Sequence, residues 1–191
     1  MNIVLASASP RRAELLRQIG IAFTVEASDI DENRVQADEP QKWVQYVALE
    51  KARDVAKKME AGLVLGADTI VVKEEKILGK PESPEDALEM LEFLSGSVHE
   101  VMTGFALVDT LSQKVITDVE ITQVKFRKLT LKEIQAYIAS GEPMDKAGAY
   151  GIQGLGCLLV EGISGCYFNV VGLPLYKVAQ NLRDFGVETL G

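Results

Sequence analysis

A chain of 191 residues with 47% hydrophobic content can bury the core of one sizeable domain, or of a domain with a lobe. Its net charge of −8 argues against a carpet-like grip on a nucleic-acid polymer, which needs clustered Lys and Arg, but leaves room for a single nucleotide in a locally positive pocket. Two cysteines, Cys157 and Cys166, and a lone histidine, His99, make neither a disulfide framework nor a zinc site, so two reduced, partly buried thiols are expected.

The chain starts directly on a strand pattern over Asn2–Ser7. That start lacks a basic region and a long apolar stretch, so no signal peptide is read. No run approaches the roughly 18 apolar residues of a membrane span. A cytoplasmic protein without a membrane partner is expected. Ser9-Pro10 opens a helix, with Ser9 as N-cap and Pro10 as first helical residue, and Gly20 closes it. Ala22–Ala27 reads as a second strand and Ser28–Glu39 as an exposed acidic loop.

Pro40–Met59 carries a helical stripe of Trp43, Val44, Val47, Val55 and Met59. Gly62–Val72 is an apolar strand broken by Asp68 and Thr69, and Lys73–Lys76 a charged turn before Ile77 and Leu78. Ser83 begins a helix whose acidic first turn suits the helix dipole and which ends at Gly96. Val98–Asp109 and Lys114–Lys125 form a hairpin signal. Thr130–Ser140 is a helix with Thr130 and Glu133 at capping-box spacing. A glycine-rich loop over Gly141–Gly156 follows, then short strands at Leu158–Glu161 and Gly165–Phe168, and a last helix over Gly172–Phe185. Strands that alternate with helices and then pair as a hairpin predict a mixed-sheet α/β fold, taken as one domain over residues 1–191.

Several residues are placed to do chemistry. Ser7, Ser9, Arg11 and Arg12 lie where a strand end meets a helix start, and free N–H groups and guanidiniums there suit phosphate. An ordinary capped helix with two solvated arginines fits the same residues. Lys51 sits beside the apolar stripe of its helix, either aimed into a cleft or snorkelling at the edge. Asp68 puts a carboxylate at the end of an apolar strand, which is costly unless the group is paired, metal-bound or at a site; a turn or capping Asp is the alternative. Lys80, between Gly79 and Pro81, can meet a phosphate or mark a surface turn. Gln153 follows small residues that let a ligand approach the backbone, and its amide can read a base edge; a flexible glycine loop fits as well. Glu32 is a candidate metal carboxylate or a solvated loop acid. His99 has no evident Ser/Asp or Cys partner, so no triad is read.

Taken in order, these blocks resemble the Maf family, once named for septum formation. The matching stretches are Ser7–Arg12, Asp29–Arg34, Glu50-Lys51-Ala52, Gly66–Val71, Gly79-Lys80-Pro81, Leu94–Gly104, Asp145–Gly154 and Val171–Pro174. The resemblance implies a long, twisted mixed β-sheet flanked by helices, with two lobes around a nucleotide cleft, of the Maf/ITPase-like kind. It implies Mg²⁺- or Mn²⁺-dependent hydrolysis of a nucleoside triphosphate between the α- and β-phosphates, and commonly a homodimer. Asp68, Glu32, Lys51 and Lys80 take the catalytic places in that pattern, with Glu32 and Asp68 as metal ligands and Asp68 also as proton acceptor. Ser7, Ser9, Arg11, Arg12, Thr69 and Gln153 take the substrate-binding places. Arg11, Thr69 and Gln153 match the branch that cleaves dTTP and UTP. An acidic residue at the Gln153 position marks the 7-methyl-GTP branch, the alternative within enzymes. A nucleotide-binding regulator of cell division is the alternative of another class.

Overall fold

The computed structural model describes residues 1–32, 35 and 37–189. Asn33, Arg34 and Gln36 lie outside the described residues, and with them the end of the Asp29–Arg34 stretch and part of the expected acidic loop. In chain order the elements are β1 (Ile3–Ala6), α1 (Pro10–Gln18), β2 (Thr24–Val25), α2 (Pro40–Ala56), β3 (Leu63–Lys73), β4 (Lys76–Leu78), α3 (Pro84–Leu94), β5 (Val98–Asp109), β6 (Val115–Phe126) and α4 (Leu131–Ala139). Three short 3₁₀ turns follow, at Glu142–Asp145, Ala147–Ala149 and Gly154–Leu159, and then β7 (Val160–Ser164), α5 (Tyr167–Val171) and α6 (Leu175–Arg183).

Among the described residues seven strands form one mixed sheet in the order β2-β1-β3-β5-β6-β7, with β4 paired to β3 off that path. β1 runs parallel to β2 and β3, and α1 and α2 supply the crossovers that parallel neighbours require. β4 is antiparallel to β3, and β7 to β6. The chain divides into two compact units: Met1–Asp68, Thr103–Glu120 and Gly172–Gly191 in the first, Thr69–Met102 and Ile121–Val171 in the second.

The first unit is built on α2. Its buried face is Val44, Val47, Ala48, Ala52 and Val55, at the spacing that lines one side of a helix. Ala48, Ala52 and Val55 of that face pack with Val4, Ala6, Val64, Ala106 and Val108. The contact is unusually close because the strands present bare backbone. A Cβ on Gly66 would lie 2.2 Å from the Ala48 carbonyl oxygen, and one on Gly104 would lie 2.5 Å from that of Val44. Only glycine fits under a helix at those distances, so α2 rests directly on β3 and β5.

The second unit has its own core, with Leu91, Leu94, Val101, Val124, Phe126, Ile134, Tyr137 and Tyr150 among its buried residues. Its two longer helices are capped as their sequences require. Ser83 Oγ accepts the Asp86 N–H at 3.1 Å. Thr130 Oγ1 accepts the Glu133 N–H at 3.3 Å, while the Glu133 carboxylate accepts the Thr130 N–H at 2.8 Å. Among the described residues no helix is long and apolar enough to cross a membrane.

Four sequence readings need correction. β3 is not broken at Asp68 and Thr69 but runs through both. The expected strand over 22–27 shortens to Thr24–Val25 at the sheet edge, where Val25 is exposed. Residues 165–168 are not a strand, because Tyr167 begins α5. Both thiols are free, but Cys157 is exposed rather than partly buried.

Candidate functional site

On one edge, β3 pairs with β1 as far as Gly66 and with β4 from Val71 onward. Asp68 falls between those two pairings, two residues past the last β1 partner. A carboxylate is tolerated in the middle of an apolar strand here because the first unit surrounds it with cations. Lys51 Nζ lies 2.7 Å from Asp68 Oδ1 and 2.7 Å from Glu32 Oε1. The Lys51 and Asp68 side chains are 14% and 10% exposed, so this pair is largely removed from water, whereas Glu32 is 47% exposed. α2 delivers Lys51 from the edge of its buried face, and the seating of that helix on Gly66 puts the ammonium at the level of Asp68.

Burial pushes the Asp68 carboxyl above the usual carboxylate range. Lys51 and Arg12 pull it back down, and the Glu32 charge adds to the rise. Arg12 belongs to the same electrostatic group. Burial works against its charge, Asp68 and Glu32 favour it, and Arg11 opposes it. Its guanidinium is not solvated: Nε donates to the Gly172 carbonyl at 2.8 Å and Nη1 to Ser7 Oγ at 3.0 Å. Ser7 Oγ also accepts the Ser9 N–H at 3.2 Å. Ser9 is the extended N-cap of α1, with Pro10 as its first helical residue, but its side chain makes no cap hydrogen bond. Ser7 is therefore the hydroxyl that ties the start of α1 to Arg12.

The loop bearing Glu32 is anchored along α2. The Val35 N–H donates to the Glu32 carbonyl at 3.1 Å, and the Trp43 indole donates to the Val35 carbonyl at 3.0 Å. The Asp29 N–H donates to Asp54 Oδ2 at 3.2 Å.

The structure thus brings Ser7, Arg12, Glu32, Lys51 and Asp68 into one network, with Ser9 bonded to Ser7 and Arg11 electrostatically coupled to Arg12. The remaining candidates belong to the second unit. Thr69 follows Asp68 on β3 and is half-buried, while Lys80 and Gln153 are exposed. The loops that carry those two are joined, since the Gly148 N–H donates to the Gly79 carbonyl at 2.9 Å. Two residues that sequence reasoning missed, Tyr137 and Glu142, bond to the backbone around Gln153. Gly154 and Gly156, which leave room for them, were the available signal.

In chemical terms, the network offers a partly desolvated carboxylate beside two cations, and a second acid that shares one of them. Such a group can accept a proton, hold a cation and meet a polyanion.

The family described as Maf-like protein matches residues 2–185. A dTTP/UTP pyrophosphatase of Acetivibrio thermocellus is 55% identical, with 100% of this chain and 98% of that one covered. One of Moorella thermoacetica is 54% identical, at 100% and 98% coverage. One of Desulforamulus reducens is 50% identical, at 97% of each.

Proposed function

The chain belongs to the Maf-like protein family, and from that premise we propose that it hydrolyses dTTP and UTP to the monophosphate and pyrophosphate. The observation that carries the reading is the buried Asp68 carboxylate held 2.7 Å from Lys51, with Arg12 and Glu32 coupled to it. Attack on an α-phosphorus needs a base for the incoming water and positive charge facing the phosphates. In this reading Asp68 accepts the proton. Its burial favours the role, because a carboxyl lifted above its usual range is a stronger base. Lys51 and Arg12 offset the charge that develops on the phosphate oxygens, and the Gly172 carbonyl and Ser7 hydroxyl fix the direction of the guanidinium. Ser9 and Lys80 contribute to phosphate binding, and Arg11, Thr69 and Gln153 to base choice, on the family pattern.

The donor set fits a divalent cation. Glu32 and Asp68 are hard oxygen ligands, each 2.7 Å from the Lys51 ammonium, so the two carboxylates are close enough to share a cation. Among the described residues no group of three or more His, Cys, Asp or Glu is poised around one point. Two protein carboxylates completed by substrate phosphates is the usual Mg²⁺ arrangement. Glu32 and Asp68 would hold Mg²⁺ or Mn²⁺, whose chemistry when bound is to neutralise phosphate charge.

A panel of UTP, dTTP, CTP, GTP and 7-methyl-GTP, each with Mg²⁺ and Mn²⁺, tests the proposal. The expected result is that UTP and dTTP have the highest kcat/KM, by about tenfold or more, the worth of one well-made polar contact. Preference for 7-methyl-GTP, or binding of every nucleotide without turnover, would overturn it.

A further inference from the structure

Gln153 is the extended N-cap residue of the turn Gly154–Leu159, yet its side chain makes no capping hydrogen bond. The cap comes from elsewhere. Glu142 Oε1 accepts the Leu155 N–H at 2.9 Å, and Oε2 accepts the Gly156 N–H at 3.4 Å. These donors are among the first of the turn, the groups that an N-cap side chain ordinarily satisfies. On the other side of Gln153, the Gly151 N–H donates to Tyr137 Oη at 3.2 Å. The Glu142 charge acts on the Tyr137 hydroxyl, so the two clamping groups are coupled electrostatically.

The clamp is built into the sequence. Gly154 has φ 62°, and a Cβ there would lie 2.7 Å from Glu142 Oε1. A Cβ on Gly156 would lie 2.0 Å from the Gly151 carbonyl oxygen and 2.7 Å from Tyr137 Oη. Glycine at both positions lets the loop close on these two side chains. Glu142 is itself held, with its N–H donating to Ser140 Oγ at 3.2 Å and its carbonyl accepting Lys146 Nζ at 2.6 Å. Burial and the Glu142 charge push the Tyr137 hydroxyl up to about 12, against the pull of the Gly151 N–H. It therefore stays a neutral phenol, whose oxygen accepts the Gly151 N–H.

We propose that Glu142 and Tyr137 are positioning residues for base choice, capping the Gly154–Leu159 turn from outside so that the Gln153 amide is left for the nucleobase. The proposal rests on the reading of Gln153 as the residue that meets the base. A glutamine that caps its own turn has no amide to spare. An exposed glutamine on an unheld backbone reads nothing, because a site must be fixed to a fraction of an ångström to discriminate. An external cap removes both obstacles. Uracil presents an N3–H and carbonyls, which one amide can accept from and donate to, whereas cytosine lacks the N3–H.

The readout is the UTP-to-CTP ratio of kcat/KM in Gln153→Ala, Glu142→Gln, Tyr137→Phe and the Glu142→Gln/Gln153→Ala double variant, each checked by thermal melting. Gln153→Ala is expected to lower the ratio about tenfold, and the two clamp variants to lower it comparably. Adding Glu142→Gln to Gln153→Ala should change the ratio no further, because the clamp acts through Gln153. Tyr137→Phe, which keeps the ring in the core, carries the test if Glu142→Gln does not fold. If Gln153→Ala lowers the ratio but the clamp variants keep it, even with slower turnover of both substrates, the clamp is only structural and the proposal fails. A further drop in the double variant overturns it too. If Gln153→Ala itself leaves the ratio unchanged, the reading of Gln153 fails and the clamp's role falls with it.

Discussion

Asp68→Asn is expected to lower kcat for UTP by about a thousandfold or more, within the range attributed to a lost general base, and to leave the fold intact. Asparagine keeps the shape of the side chain and removes its charge. Lys51 retains Glu32 at 2.7 Å, and Arg12 retains Ser7 and Gly172. Burial already lifts the Asp68 carboxyl above its usual range, so the folded protein favours the neutral form more than the unfolded chain does. A neutral amide at that position should therefore cost little stability, or none. Circular dichroism and thermal melting check the fold, and single-turnover kinetics the chemistry. A folded Asp68→Asn protein with near-parental turnover would remove Asp68 from the catalytic role.

The second large effect is on stability rather than rate. His99 is 2% exposed, and its Nε2 lies 2.7 Å from Tyr150 Oη. Its ring stands edge-on to Phe126 and Tyr150, with centroids at 5.0 and 5.3 Å. Burial, helped by the Lys73 charge, lowers its pKa from 6.5 to about 4. The unfolded chain thus takes up a proton below about pH 6.5 that the folded protein refuses until about pH 4. The histidine's contribution to stability is full above the unfolded value, is lost progressively as pH falls through that window, and levels off below it. At about 1.4 kcal/mol per pKa unit the loss comes to about 3 kcal/mol. Urea unfolding of the parent and of His99→Gln at steps from pH 8 to 4 isolates this contribution. The parent should lose about 3 kcal/mol more than the variant over that range. Parallel curves would mean that His99 titrates in the fold as it does in the unfolded chain.

The sequence was most readable where local rules govern. The hairpin read at 98–109 and 114–125 is β5 and β6, displaced by one residue on the second strand. The capping box at Thr130 and Glu133 is present as spaced. Readability failed where distant partners decide. In the sequence alone Asp68 reads as a strand end, because a carboxylate amid apolar residues looks like an interruption. β3 continues through it because Lys51, 17 residues away, is paired with it. The run at 165–168 was too short for its periodicity to separate strand from helix. What settles it is the Asn169 amide, which donates to the Val101 carbonyl and Thr122 Oγ1, both at 2.9 Å.

The candidate site shows the same division. Lys51 stood out as a cation at the edge of an apolar stripe, and the start of α1 as a phosphate-type terminus. For Tyr137 and Glu142 the only sequence signal is the pair of glycines at 154 and 156, because both act on backbone N–H groups 13 or 14 residues further along, and no spacing rule covers such contacts. Ser9 had the correct position for a cap, but the hydroxyl that is engaged belongs to Ser7.

In the proposed reaction, water attacks the α-phosphorus of dTTP or UTP beside Asp68. Its most direct test is hydrolysis of UTP in ¹⁸O-labelled water, with the phosphate products separated and weighed by mass spectrometry. Equal amounts of UMP and pyrophosphate are expected, with one ¹⁸O in UMP and none in pyrophosphate. Orthophosphate with UDP as the main products, or label in the pyrophosphate, would contradict it.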